Sequence, residues 1–490
     1  MSSIALMYFQ IVPYYTILYI TMTQSRHIKH LGKSRELLWD TSPIAEMQGV
    51  SLMLHHPMPR NVAIVHDAPW EGNVCIYHTV LKYNGKYRMY YRGAAYKMET
   101  EHPQVSCVAE SDDGIAWTKP DLGIFEFNGS KHNNIVWMGD VSAHNFTPFV
   151  DTNPECHEEC RFKAIGGDDK SGLLLYTSPD GFHWKRTTEK GIITDGLFDS
   201  QNLAFYDNFR QCYISYSRKM QPLLNSFSLR AVQRCVSTDM LHWSRPEWLC
   251  FDDGVQDMEL YTNAITPYYR CPEVYVGFPK RFTRGRGTKY DKSGGAGLPG
   301  VSDGIFMSSR DGLHFNRWPE AFVRPGLQHE RWINRNNFTA WGLIETPSDI
   351  AGTPNEISLY SIEAYYSDAP ARMRRMSIRL DGFVSIQAPY KGGSFTTNYM
   401  TFDAEGNDIR LLLNASTSGA GGISCEIIGE DGAPVPGFSM DESTLVYADD
   451  IEIPMEWKDG SNLSALAGKP IALRFQLSDA DIYSFRFGNL

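Results

Sequence analysis

A seven-residue turn recurs along this chain, and its repetition restricts the fold more than any other feature. Ser111-Asp112-Asp113-Gly114-Ile115-Ala116-Trp117 returns as Ser178-Pro179-Asp180-Gly181-Phe182-His183-Trp184 and as Ser309-Arg310-Asp311-Gly312-Leu313-His314-Phe315. Another copy, Ser237-Thr238-Asp239-Met240-Leu241-His242-Trp243, has lost the glycine, and Asp381-Gly382-Phe383 is a worn fifth. The five aspartates lie roughly 60 to 70 residues apart, which implies five units of one architecture. In such a turn the carboxylate accepts from backbone amides, glycine permits a positive φ, and the aromatic packs beside the next unit. These aspartates are therefore expected to be structural, with no catalytic part.

Before each turn lie about three strand-like runs, such as 74–81, 87–91 and 105–110 in the first unit and 203–206, 211–217 and 229–237 in the third. With a strand after the turn, each unit becomes a four-stranded antiparallel blade, and five blades about an axis make a β-propeller. Past residue 388 the pattern changes to glycine-punctuated strands without further turn copies, which suits a β-sandwich. The expected fold is all-β: a five-bladed β-propeller over 45–388 and a β-sandwich over 395–490.

A net charge of -11 with no basic block excludes a nucleic-acid partner, whose binding rests on phosphate neutralisation. A carbohydrate is the expected partner, and the oligomeric state is left open. The nine cysteines show no paired spacing for structural zinc and are expected to be mostly reduced, although Cys156 and Cys160 could close a small disulfide in an exported protein. Residues 1–28 form a signal, a membrane anchor or an extension: 4–22 lack charge, but Pro13 and Gln10 interrupt them and no basic region precedes them. A secreted or periplasmic protein follows if the segment is a signal, and a cytoplasmic one if it is not. No other membrane span is expected.

In a propeller the innermost strand of every blade lines the axis, so residues at the strand entrances share a funnel whatever their separation in sequence. The entrances hold Asp67, Trp70 and Glu71; 144–151 with Asn145 and Asp151; 198–202 with Asp199, Gln201 and Asn202; 256–263 with Glu259 and Tyr261; and Arg335 with Trp341. Carboxylates at successive mouths are what glycosidic cleavage requires: a protonated acid, an ionised nucleophile or base, and a third group that tunes them. Crowding like charges raises at least one pKa. Trp70, Tyr261 and Trp341 suit stacking on sugar faces, while Asn145, Asn202 and Gln201 suit hydroxyls.

The five-unit layout, the Asp67-Ala68-Pro69-Trp70 turn, Asp151 and the sandwich tail resemble the furanosidase-type five-bladed propellers of glycoside hydrolase families 32, 43 and 68. The repeated turn also resembles the Asp-boxes of six-bladed sialidases, and 45–490 resembles uncharacterised bacterial family 32-like hydrolases. The resemblance implies a glycosidase acting on a terminal furanoside or related sugar, with Asp67 as nucleophile or base and Asp151 as stabiliser. It implies a glutamate acid in the third blade, where this chain has Asp199, so Asp199, Glu259 or Glu71 would be the acid. The other reading is a carbohydrate-binding propeller without chemistry.

Each candidate also has a plain structural reading. Asp67 before Ala-Pro can cap a turn, and Asp151 before Thr-Asn-Pro can do the same. The polar run 199–202 is costly to bury without a ligand or partners. Glu259 lies between Met258 and Leu260, so alternation points it the opposite way, towards the axis. Arg281, Arg284 and Arg286 form either a solvated loop or a clamp on a carboxylate or sulfate of an acidic glycan. The histidines have no metal-ligand spacing, His144 is expected in a hydrogen-bonding wall, and no cofactor is expected beyond a structural calcium ion on the channel floor.

Overall fold

A computed structural model describes residues 28–96, 98, 102–222, 228–286, 300–404 and 406–489. Residues 1–27, and with them the segment expected to be a signal or anchor, lie outside the described residues. The chain is all-β; short 3₁₀ turns are the helical elements among the described residues. Within those residues no helix is long and apolar enough to cross a membrane.

Five four-stranded antiparallel sheets carry most of the chain. Sheet one is Ile76–Tyr83, Lys86–Gly93, Val105–Ser111 and Ile135–Met138; sheet two is Thr147–Val150, Phe162–Asp168, Gly172–Ser178 and Lys185–Arg186. Sheet three is Leu203–Asp207, Cys212–Pro222, Ser228–Ser237 and Glu247–Trp248. Sheet four is Thr266–Tyr268, Cys271–Gly277, Met307–Ser309 and Asn316–Arg317, extended by a three-stranded sheet of Glu259–Leu260, Lys280–Arg284 and Gly300–Gly304. Sheet five is Ile344–Thr346, Glu356–Glu363 and Arg372–Arg379, and its outer strand is Met58–Val65, from far upstream.

The repeated turns act as the sequence anticipates. Asp113 Oδ1 accepts from the amides of Ile115 and Ala116 at 2.7 and 2.9 Å, and Asp180, Asp239 and Asp311 repeat the geometry. Met240 adopts φ +67° in the place of the missing glycine. The turns also lock neighbouring sheets together. Tyr90 of sheet one donates to the Gly181 carbonyl at the tip of sheet two, Tyr216 of sheet three to Gly312 of sheet four, and Tyr360 of sheet five to Gly114 of sheet one. Tyr213 of sheet three donates to Asp151 behind sheet two, and Trp341 joins sheet five to the Ile265 carbonyl before sheet four. The series of contacts thus returns to its start.

The worn fifth turn is different. Asp381 is fully buried, ion-paired with Arg35 and Arg270 at 3.3 and 2.9 Å, and accepts from Tyr268, Ser484 and Asn414. It is a joint between the sheets and the C-terminal unit, where a surface turn would have no such cations to meet.

That C-terminal unit is an eight-stranded sheet system around Arg410–Ile428 and Ala472–Gly488, which pair along nearly their whole lengths. Its pairings cross the boundaries drawn from sequence. Arg35–Leu37, Ile44–Gln48 and Ser51–Leu54 pair with Ala472–Gly488, Gly393–Thr397 and Val384–Ala388. The segment 45–54 therefore hydrogen-bonds with the C-terminal strands, because a free strand edge there satisfies its backbone groups. The largest cores are separate: one includes Phe205, Tyr275, Phe306, Trp341 and Phe383, a second Phe395, Phe402, Phe475 and Phe485, and a third Tyr91, Ile135, Tyr360 and Ile362.

Candidate active site

The first strands of the five sheets begin at one end of the circuit, and there the side chains form a cage around Tyr261. Lys280 Nζ lies 3.9 Å from the centre of the Tyr261 ring, with the guanidinium carbons of Arg218, Arg230 and Arg335 at 4.8, 5.5 and 5.7 Å. Tyr77 stands beside it, donating to the Asp199 carbonyl at 3.1 Å and lying under Arg92. Arg92 reaches Tyr365 at 2.9 Å and His144 at 3.2 Å, and Arg335 reaches Tyr366 at 2.7 Å. Two carboxylates belong to the cage. Asp199, largely exposed, pairs with Arg218, and buried Glu259 is gripped by Arg230 and Arg284. Glu259 and Tyr261 are two residues apart, and Arg230 lies against both.

The charges set the proton affinities. Burial opposes ionisation of Tyr261, yet Arg335 and Arg218 outweigh it and bring the phenol down to about 8. Burial, reinforced by Arg92, Arg335 and Arg218, lowers His144 to about 3, so its ring is neutral. Burial and then Arg335, Arg230 and Arg218 hold Lys280 well below the ordinary lysine range, against the opposing pull of Glu259. Burial would raise Glu259, but Arg284 and Arg230 overcome it and keep the carboxylate ionised.

The backbone around the cage is unusual too. Tyr77, Ala264, Arg335, Asn337, Ala364 and Tyr366 all have φ between +44° and +71°. Left-handed conformations cost an L-residue about 1 kcal/mol or more apiece and persist where surrounding contacts over-determine them. Asn336 and Asn337 provide such contacts: they accept from Tyr365 N and Arg331 and donate to carbonyls of Ile333, Tyr365, Ser302 and Arg331.

The other residues singled out from sequence lie elsewhere. Asp67 is exposed and salt-bridged to Lys119 at 3.0 Å, between the outer strand of sheet five and the long connection of sheet one. Glu71 is fully buried nearby, bonded to Tyr91 at 2.5 Å and Lys119 at 2.6 Å; against burial, His66 and Lys119 lower it to about 2. Trp70 donates to Asn134 at 2.7 Å. Asp151 follows the far end of Thr147–Val150 and pairs with Lys163 and Tyr213. Asp67, Asp151 and Asp199 thus share no partner among the described residues. Sequence alone could not tell a strand's entrance from its exit.

Asn145, Gln201 and Asn202 are buried and spend their amides on protein carbonyls: Gly167 and Ser200 for Asn145, Tyr77 and His78 for Gln201, Phe198 and Ser200 for Asn202. They brace the backbone beneath the cage. Trp341 is core. Arg281 grips Asp303 at 2.7 and 2.9 Å and caps the Pro319 carbonyl, and Arg284 holds Glu259, so neither is a free clamp. All nine cysteines are free thiols, Cys156 and Cys160 included. No group of three or more His, Cys, Asp or Glu side chains arranged for a metal occurs among the described residues.

Tyr77, Arg92, Arg218, Arg230, Lys280, Tyr365 and Tyr366 were not singled out from sequence. A signal was available: Arg92, Arg218 and Lys280 lie in or just beyond the second strand of their sheets, so superposing the repeats on that strand puts the three cations in similar places. A search centred on carboxylates passes over it.

No family model matches the chain, and no curated protein does. Solved structures similar to it include one described as a glycoside hydrolase, with TM-score 0.47 and 12% identity, covering 69% of this chain and 95% of that one. Another is the catalytic domain of a Coprinopsis cinerea family 62 α-L-arabinofuranosidase, with TM-score 0.42, 9% identity, and 67% and 99% covered. A fructofuranosidase from Schwanniomyces occidentalis complexed with fructosylnystose gives TM-score 0.39 and 9% identity over 88% and 98%. At these values the function has to be argued from the cage itself.

Proposed function

We propose that the five sheets are the blades of a five-bladed β-propeller closed by Met58–Val65, that the C-terminal strands form a β-sandwich, and that the protein is a glycoside hydrolase. Its substrate is a terminal sugar, furanoside or related, on an oligo- or polysaccharide. The observation that carries this reading is the pair Glu259 and Tyr261: two acids two residues apart with Arg230 against both, Glu259 held by Arg284 and Arg230 and Tyr261 faced by Arg335 and Arg218, in different states at neutral pH. Such a split is how a site obtains a base and an acid from neighbouring groups. Glu259, ionised, takes a proton from water as the water oxygen bonds to the anomeric carbon. Tyr261, still mostly protonated at pH 7, gives its proton to the leaving oxygen as the glycosidic bond breaks. Asp199, exposed at the mouth, places negative charge near the positive character that develops on the sugar ring. Asp67 and Asp151, committed to Lys119 and Lys163, have no part in this scheme.

A non-catalytic carbohydrate-binding propeller is the second reading, favoured by one observation: both carboxylates of the cage are already held by arginines. A panel of aryl glycosides and plant or algal oligosaccharides, offered to wild type, Tyr261→Phe and Glu259→Gln, separates the two. The hydrolase reading expects turnover that falls by about 10² to 10⁴-fold in either variant. Binding without turnover by all three proteins would establish the second reading, and turnover untouched in both variants would overturn the assignment of the pair.

A further inference from the structure

Cations outnumber the anions that face them in the cage. Arg92, Arg218 and Lys280, all buried, converge there with the half-buried Arg230 and Arg335, against Asp199 and Glu259. Among the described residues, the ammonium of Lys280, 1% exposed, has only the Asn334 amide oxygen at 3.4 Å as a hydrogen-bond partner, and Arg92, 6% exposed, forms no ion pair. The Nε atoms of Arg92, Arg218 and Arg335 are buried without a hydrogen-bond partner. Unpaired buried charge is expensive, and on a chain of net charge -11 it runs against the overall balance.

We propose that the sugar bound here carries an anionic group, a carboxylate or a sulfate ester, received between Arg218, Arg335 and Lys280 beside Tyr261. The proposal rests on the carbohydrate reading above and names its substrate class. Guanidinium donors suit the oxygens of either group, and an ammonium adds a point charge. A cavity of about 600 Å³ adjoins the cage, with His144 and Asp199 in its wall, which is room for the rest of a glycan. The reaction has the same need. A transition state of oxocarbenium character is disfavoured among uncompensated cations, and a substrate that brings its own anion removes that penalty.

The test is isothermal titration of the intact protein with D-galacturonate and D-glucuronate, with D-galactose and D-glucose, and with the 6-O-sulfated forms of the two neutral sugars. At least one anionic form should bind about tenfold or more tighter than its neutral parent, as a charge-assisted pair implies. The carboxylate and sulfate arms show which anion the site takes. Binding should weaken with salt. Arg335→Gln and Arg218→Gln should each abolish the preference while keeping a cooperative melt, and Arg335→Lys should restore part of it. Lack of anionic preference in every pair, absence of all binding included, overturns the proposal, as does a preference that survives both glutamine variants. Turnover of neutral glycosides without anionic preference would sink this inference and leave the hydrolase standing. Anion-selective binding without hydrolysis of any substrate would do the reverse.

Discussion

Two of this molecule's buried ionic clusters are balanced in opposite ways. At the joint between the sheets and the C-terminal unit, Asp381 meets Arg35 and Arg270, and hydroxyls of Tyr268 and Ser484 and the amide of Asn414 complete its coordination. Burial works against its charge, but the two arginines hold its carboxyl below the usual range. A second set, Arg310 with Glu36 and Asp40, extends the joint. In the cage around Tyr261, Arg218 and Arg230 have carboxylates but Arg92, Arg335 and Lys280 have none among the described residues, and the backbone is left-handed at six non-glycine positions. Charge that is matched inside the protein stabilises an interface. Charge left unmatched, in perturbed groups at a mouth, marks a place kept for something else.

The comparison can be broken most forcefully at the joint. Asp381→Ala removes the buried anion that Arg35 and Arg270 share, leaving them only Glu452 at 2.6 and 3.9 Å, and should cost about 3 kcal/mol, measured by denaturant unfolding. In the cage the same kind of deletion should have the opposite sign: Lys280→Met removes an unmatched group and should leave stability unchanged or raise it by about 1 kcal/mol. If both destabilise alike, the contrast fails.

Acid separates the clusters more finely. His144 is neutral in the fold and protonates near 3, against 6.5 when unfolded, so between those values the unfolded chain binds more protons and stability falls as pH falls. Its slope is at most about 1.4 kcal/mol per pH unit. Asp381, with a lowered pKa, loses its contribution only as pH drops below the ordinary aspartate value of 3.8. Thermal melts from pH 7 to 4 should therefore show a decline that is shallower in His144→Gln and unchanged in form for the joint. The smallest effect belongs to the repeated turns: Asp180→Ala deletes two amide contacts on a partly exposed loop and should cost about 1 kcal/mol.

Much of the frame was legible from residues alone, because the repeated turn is local chemistry: serine, aspartate, glycine and an aromatic within seven positions decide their own hydrogen bonds. What was not legible depended on distant partners. Ser51–Leu54 reads as any short strand, and nothing in it announces Val384–Ala388 as its neighbour. Asp381 carries the remnant of the turn motif, and only Arg35 and Arg270, far away in sequence, turn it into a joint. At the mouth, alternation correctly turned Glu259 away from its apolar neighbours. The carboxylate search also selected Asp67 and Asp151, whose partners Lys119 and Lys163 lie 52 and 12 residues further on. Arg92, Arg218 and Lys280 escaped notice because they sit in or just beyond second strands, and Arg230 on a third, where lysine and arginine ordinarily mean solvent.

The central claim is that the field inside the cage is strongly positive, and Tyr261 reports it directly. Phenolate absorbance of wild type minus that of Tyr261→Phe, followed across pH, should reveal one tyrosine ionising near 8, below the ordinary 10.0. A difference spectrum that stays flat until pH 10 would mean that the cations are neutralised by other means, and the reading of this cage as an anion-seeking active site would be wrong.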